Sequence, residues 1–198
     1  MKKQDTVRKG NRNLSSYLPL EMEISTPFGV VRLIWVESGS GPKVVRIILP
    51  GDTRVERVPV LPTTRVKSAE DEKIHSLGED IRSFLSGNNV VFGTEILDLD
   101  RCRAFQRRVL LAEYAIPRGY VSTYGRIARH LGVPGGARAV GNALARNSFP
   151  LVIPCHRALQ ADGSPGGFQG GREMKIRLLE MEGARFCSGK VLMEHIWY

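Results

Sequence analysis

The chain changes its periodicity once, between Asp98 and Arg103, and that change limits the folds open to it more than any other feature. Ahead of it lie an alternating stretch from Glu21 to Thr26, a turn at Pro27-Phe28-Gly29, and two β-branched runs, Val30 to Glu37 and Lys43 to Leu49, parted by Gly39-Ser40-Gly41-Pro42. Alternation broken by turn residues predicts a small antiparallel sheet. Pro50 to Thr64 reads as loop. Ser68 to Ser86 then fits one helix, with Ser68 as N-cap, Asp71 and Glu72 at the positive end of the dipole, and Ile74, Leu77, Ile81, Phe84 and Leu85 spaced to cover the sheet. Gly87-Asn88-Asn89 stops that helix, and Val90 to Leu99 reads as a short extended stretch.

Past Arg103 the spacing is helical. Phe105, Val109, Leu110 and Ala112 mark a first helix, closed by Ile116-Pro117. Thr123 caps a second, with Ile127, Ala128 and Leu131 inward and Gly132 at its end; Ala137 to Ala145 forms a third. Two short helices joined through glycine make a helix-turn-helix candidate. The expected fold class is therefore α+β: a small N-terminal antiparallel sheet with a helix, followed by a mainly helical C-terminal domain. Its divisions are a flexible basic tail at 1–17, an N-terminal α/β domain at 18–100, and a C-terminal domain at 101–198.

Charge is concentrated where the helices are. Between Arg101 and Pro150 stand nine arginines against the single acid Glu113, a local excess of +8 in a chain of net charge +9. Arginine grips phosphate through a planar fork, so nucleic acid is the first partner to consider. The third helix carries Ala137, Ala139, Gly141, Ala143 and Ala145, leaving Arg138, Asn142 and Arg146 to reach outward. Small side chains suit close approach to a minor groove, and they equally suit packing against another helix.

No apolar run approaches the ~20 residues of a membrane helix, and the polar start leads into no apolar signal core. Cys102, Cys155 and Cys187 are an odd, widely spaced set, which argues against a disulfide framework and against a zinc site of paired cysteines. An intracellular location follows, cytoplasmic or nuclear, with no cofactor and no membrane partner.

The reactive candidate is Ile153-Pro154-Cys155-His156-Arg157. A cysteine attacks as thiolate, and an adjacent imidazole and guanidinium are expected to favour that form. Pro154 biases Ile153 to extended geometry, so Leu151-Val152-Ile153 is expected to enter as a buried strand ending at the cysteine. Taken alone, such a pair is read more readily as a buried cysteine beside a structural histidine, and it is the surroundings that favour the reactive reading.

The longer pattern resembles the O6-alkylguanine-DNA alkyltransferases, or methylated-DNA–protein-cysteine methyltransferases. It runs through Phe105-Gln106, Tyr120 to Gly125, Ala137 to Gly141, Asn147, Pro150, Ile153 to Arg157 and Gly170-Gly171. The resemblance implies a ribonuclease H-like N-terminal domain and a monomer that acts on double-stranded DNA carrying alkylated guanine. It makes Cys155 the acceptor of the alkyl group, from O6-alkylguanine and from O4-alkylthymine. His156 becomes the base acting through a water, Glu182 its orienting acid, Tyr124 the donor to the leaving base, and Asn147 the tie in the turn. For DNA it implies Arg138 in the base stack, with Ala137, Tyr124, Arg126, Asn142 and Arg146 along the interface. For the base pocket it implies Pro150, Ala158, Phe168, Gln169 and Gly170. Phe168-Gln169 departs from the family's usual tyrosine and following residue, and bears on pocket size. The N-terminal zinc site of some relatives is not expected, because only His75 and no cysteine stands before Cys102. The competing classes are a non-catalytic lesion or minor-groove binder, in which Cys155 is inert, and a cysteine hydrolase built on Cys155 and His156.

Overall fold

The computed structural model describes residues 19–39, 41–52, 61–62 and 69–198. The expected basic tail and the Ser68 cap lie outside the described residues. The strands are β1 (Leu20–Thr26), β2 (Gly29–Val36), β3 (Lys43–Ile48) and β4 (Leu61–Pro62), followed by helix α1 (Ala69–Leu85). Then come α2 (Ala104–Tyr114), β5 (Ser122–Thr123), α3 (Tyr124–His130), α4 (Ala137–Ala145), β6 (Ala158–Leu159), α5 (Gly171–Met181), β7 (Phe186–Cys187) and β8 (Lys190–Val191). Short 3-10 turns occupy Leu99–Arg101 and Cys155–Arg157.

The expected α+β class holds. β1, β2 and β3 form the antiparallel meander, with Ile24 opposite Val31 and Leu33 opposite Ile47 on the buried face. Alternation along β2 sends Val31, Leu33 and Trp35 inward, as period two requires. The sheet has one more strand than the sequence pattern suggests. Leu61 and Pro62, inside the stretch read as loop, pair in parallel with Leu20 and Glu21 at the edge, where proline is tolerated. α1 buries Ile74, Leu77, Ile81, Phe84 and Leu85, each contributing roughly 1.5–3 kcal/mol over exposure.

One apolar core runs unbroken from Ile24 in the sheet to Leu178 in α5. The Ile47 amide donates to the Ser148 carbonyl at 2.8 Å, so the inner sheet edge is bonded to the turn that precedes the cysteine. Val44 likewise bridges to Leu97, and this is how the 90–99 stretch is held.

The helix-turn-helix forms as its residues dictate. Thr123 Oγ1 accepts from the Arg126 amide at 3.2 Å and starts α3. Gly132, at φ +73°, supplies the left-handed residue that ends it. α4 then packs Val140, Ala143 and Leu144 inward and leaves Arg138, Ala139, Asn142, Ala145 and Arg146 on the open face. Among the described residues, no helix is long and apolar enough to cross a membrane.

The stretch before the cysteine corrects the expectation of a strand. Leu151 sits at φ +74°, and Pro150 bridges to Ile153, so residues 150–153 form a tight buried turn. A positive φ at leucine is strained. The turn swings the chain directly into the Cys155–Arg157 turn instead of letting it run extended.

Candidate active site

β5 and β6 do the positioning. Ser122 pairs with Ala158 and Thr123 with Leu159 in a two-strand parallel ladder. The ladder fixes the start of α3, and so Tyr124, beside the end of the Cys155–Arg157 turn.

Cys155 is buried, with 6 % of its surface exposed, yet it lines a pocket of about 580 Å³. Tyr124, Gly141, Leu144 and Ala145 supply one wall of that pocket, and Gly167, Phe168 and Gln169 another. Gly51 and Asp52 close it from the sheet side, a contribution that the sequence reading missed. The Asn147 side-chain amide donates to the Cys155 sulfur at 3.2 Å and to the Ile153 carbonyl at 3.1 Å, while its oxygen accepts from the Phe149 amide at 2.9 Å. Asn147 therefore ties the turn and also touches the thiol.

Behind the cysteine, His156 is fully buried, flanked by the rings of Phe84 and Phe168. Its Nε2 lies 3.1 Å from Glu182 Oε1, and its Nδ1 has no hydrogen-bond partner among the described residues. With Nε2–H donated to the carboxylate, Nδ1 is left as a free acceptor. Glu182 also receives two bonds from Arg157, at 2.8 and 2.6 Å, and Arg157 reaches the Ile116 carbonyl at 2.5 Å. Burial pushes Glu182 up, but His156 and Arg157 outweigh it and hold the carboxyl at about 2. Burial, the largest influence on His156, drives its pKa down, so the ring is neutral.

The expectation that His156 and Arg157 would favour the thiolate is not met. The Arg157 charge is matched by Glu182, and His156 is neutral. Burial pushes the Cys155 thiol up to about 11; the Asn147 hydrogen bond and the charge of Lys175 pull it back, and Glu113 raises it further. Lys175 and Glu113 are buried charged residues to which the sequence reading gave no role. Lys175, fully buried on α5, donates to the Ala158 carbonyl at 2.7 Å. Both stand on apolar stripes, Glu113 with Val109 and Leu110, Lys175 with Leu178 and Leu179. A charge at an inward-facing helical position was the available signal.

The other named residues divide by place. Tyr124 keeps its proton: burial, then Glu113 and Cys155, push it to about 12. A side chain at Gly166, at φ +71°, would put its Cβ 3.2 Å from the Tyr124 hydroxyl, so glycine lets the loop come close. Pro150 and Ala158 are buried behind the pocket, not on its wall. Gly170 is packed against Met174 and Leu49. Arg138, Asn142 and Arg146 are exposed on α4 and Ala137 is half-buried, whereas Arg126 is engaged by the Tyr198 carbonyl at 2.7 Å. Among the described residues, no three of His, Cys, Asp or Glu converge as metal ligands.

An exposed helix of small residues stands beside a pocket that ends in a buried thiol, in a helix-turn-helix frame. Residues 104–184 match the family described as 6-O-methylguanine DNA methyltransferase, DNA binding domain. The methylated-DNA–protein-cysteine methyltransferase of Methanothermobacter thermautotrophicus is 50% identical over 110 residues, 56% of this chain and 61% of that protein. The structure of Mycobacterium tuberculosis OGT in complex with DNA superposes with a TM-score of 0.65 at 33% identity, over 81% of this chain and 90% of that one. The O6-methylguanine methyltransferase of M. tuberculosis gives a TM-score of 0.68 at 32% identity, over 86% and 96%. The chain belongs to the methylated-DNA–protein-cysteine methyltransferase family. Its match spans 61%, 53% and 62% of the length of three curated relatives.

Proposed function

We propose that the protein repairs DNA by taking the alkyl group of O6-alkylguanine irreversibly onto Cys155. The observation that supports this most directly is the Asn147–Cys155 contact at the floor of a pocket beside α4, backed by the His156–Glu182 pair.

The target base leaves the duplex, at an unstacking cost of a few kcal/mol, and enters the pocket under Phe168 and Gln169. Arg138, exposed at the start of α4, fills the vacated stack. The Cys155 sulfur attacks the alkyl carbon as the carbon–O6 bond breaks, and the electron pair passes into the guanine ring. Tyr124, held protonated, donates to the leaving base. The thiol proton passes through a water to His156 Nδ1, while Glu182 stabilises the imidazolium that forms. A thioether has no hydrolytic exit, so each molecule reacts once.

Exposed Ala139 and Ala145 let the α4 backbone approach a minor groove, which fits sequence-tolerant docking on double-stranded DNA. Residues 100–101 mark the passage from the supporting sheet to the part of the chain carrying these groups, and one apolar core spans both. The three cysteines are free, with Cys187 exposed, which suits a reducing compartment inside the cell.

Intact mass after incubation with duplex DNA containing O6-methylguanine tests the reading. One added methyl per chain, on the Cys155 peptide, is expected. DNA binding without mass gain would instead mark a lesion binder, and multiple turnover would exclude an acceptor protein.

A further inference from the structure

The loop that walls the base pocket is held from outside by an element with no part in the chemistry above. After β6 the chain folds back on itself. The Gly163 amide donates to the Gln160 carbonyl at 3.1 Å, the Gln160 amide to the Ser164 carbonyl at 3.0 Å, and the Asp162 side chain accepts from the Ser164 amide at 3.1 Å. Gly163 and Pro165 are buried in this turn, and Gly167, Phe168 and Gln169 then pass along the pocket.

Gly163 is the point where the loop meets the hairpin of β7 and β8. The Val191 amide donates to the Gly163 carbonyl at 2.9 Å. A Cβ on Gly163, at φ +83°, would stand 2.9 Å from the Val191 carbonyl oxygen, so glycine is what permits the approach. Lys190 also pairs with Asp162 at 2.9 Å, but both side chains are half exposed and such a pair adds little. The hairpin itself is a fixed base. Ser188 at φ +50° and Gly189 at φ +75° form the two-residue turn, left-handed at both centres, that suits the twist of paired strands. Val191 is buried with Val121, Leu159 and Leu179, so the hairpin packs against the β5–β6 ladder that positions Tyr124.

The other end of the wall is pinned by Gln169, whose side chain donates to the Asn147 carbonyl. Ser164 to Phe168 is therefore a short span held at both ends, with Gly166 and Gly167 inside it. Two adjacent glycines let an unpinned span swing. Pinned at Gly163 and Gln169, the span has its distance from the Cys155 sulfur set by those two points.

We propose that the β7–β8 hairpin is a specificity-determining element of the acceptor site: by holding Gly163 it sets how far the wall of Gly167, Phe168 and Gln169 stands from Cys155, and so the size of alkyl group admitted. This rests on the reading of Cys155 as the acceptor. Releasing Gly163 lets the wall yield, which admits a bulky group and holds a small one less closely.

The test is single-turnover transfer from O6-benzylguanine and from O6-methylguanine in the same duplex, followed by intact mass. Gly163→Ala breaks the contact from the loop side. Gly189→Val breaks it from the hairpin side, by forcing a β-branched residue to φ +75° where its Cβ meets nothing of the loop. Each is expected to raise the benzyl-over-methyl rate ratio roughly 3- to 10-fold. An unchanged ratio, including one in which both rates fall together, overturns the proposal, since the hairpin would then serve only to support the fold. A rise with Gly163→Ala but not with Gly189→Val overturns it too, because the loop would be answering to its own backbone. If Gly163→Ala does not fold, the ratio in Gly189→Val decides alone. A folded wild-type protein that binds the duplex and takes neither group overturns the acceptor reading instead.

Discussion

The side-chain amide of Gln169 donates to the main-chain carbonyl of Asn147 at 2.5 Å. The residue that contacts the thiol is thus bonded to the loop that walls the base pocket. Gln169→Ala removes that bond along with part of the wall. The ratio of single-turnover rates for O6-benzylguanine over O6-methylguanine in DNA is expected to rise roughly 3- to 10-fold. An unchanged ratio would show that Gln169 does not gauge the alkyl group.

Arg138→Ala separates base extrusion from chemistry. Arg138 is exposed on α4, makes no hydrogen bond or ion pair among the described residues, and is the long cation near the start of a small-residue helix. Repair of paired O6-methylguanine in duplex DNA is expected to slow by at least about tenfold, since unstacking then goes uncompensated. Reaction with free O6-benzylguanine is expected to stay within about twofold. Equal loss on both substrates would place Arg138 in the active site.

Glu182 governs acid stability. Its ordinary pKa of 4.5 is lowered to about 2 in the folded chain. Its carboxylate therefore contributes stability above pH 4.5, and that contribution is lost as pH falls towards about 2. His156, whose folded pKa is lowered, acts in the same sense: it is buried neutral, and falling pH favours the unfolded chain that can protonate it. Glu182→Gln is expected to cost about 3–5 kcal/mol at neutral pH, because Arg157 and His156 lose their partner, and to flatten the acid limb. Urea unfolding across that range decides it.

Only part of the arginine excess is available to phosphate. Arg101 pairs with Asp98, Arg107 with Asp100, and Arg108 donates to the Leu131 carbonyl. Arg118 is spread over the carbonyls of Asn88, Gly87 and Met181, and Arg126 goes to Tyr198. Arg103, Arg129, Arg138 and Arg146 remain. Four phosphate contacts give a slope of log K on log salt near −4 by the usual ~0.9 per phosphate. Arg118→Ala is expected to lower stability and leave that slope alone; a slope near −8 would mean that the internal pairs open on DNA.

What the sequence showed followed from how local each signal was. The bounds of α4 and the Thr123 cap were legible because small helical residues and a hydroxyl N-cap act within one turn. The β1–β3 meander was legible because alternation and turn residues coincide there. Leu61–Pro62 was not, since a two-residue parallel pairing leaves no periodic trace and its partner lies 41 residues away. Leu151 looked like strand because apolar runs do not report φ. Asn147 and Glu182 were named through resemblance and His156 by its place after the cysteine; the structure sets Asn147 on the sulfur and pairs His156 with Glu182. Lys175 and Glu113 were visible only as charges at inward-facing positions, and the sequence does not say what a buried charge is buried against.

The protonated state of the unliganded sulfur reaches past the chemistry of a single encounter. A protein that reacts once carries a fixed stock of reactivity, equal to the number of intact molecules. A thiol pushed to about 11 by its burial presents almost no thiolate at neutral pH to peroxides or stray electrophiles. On the acceptor role proposed above for Cys155, that stock is drawn down by bases that enter the pocket rather than by oxidants.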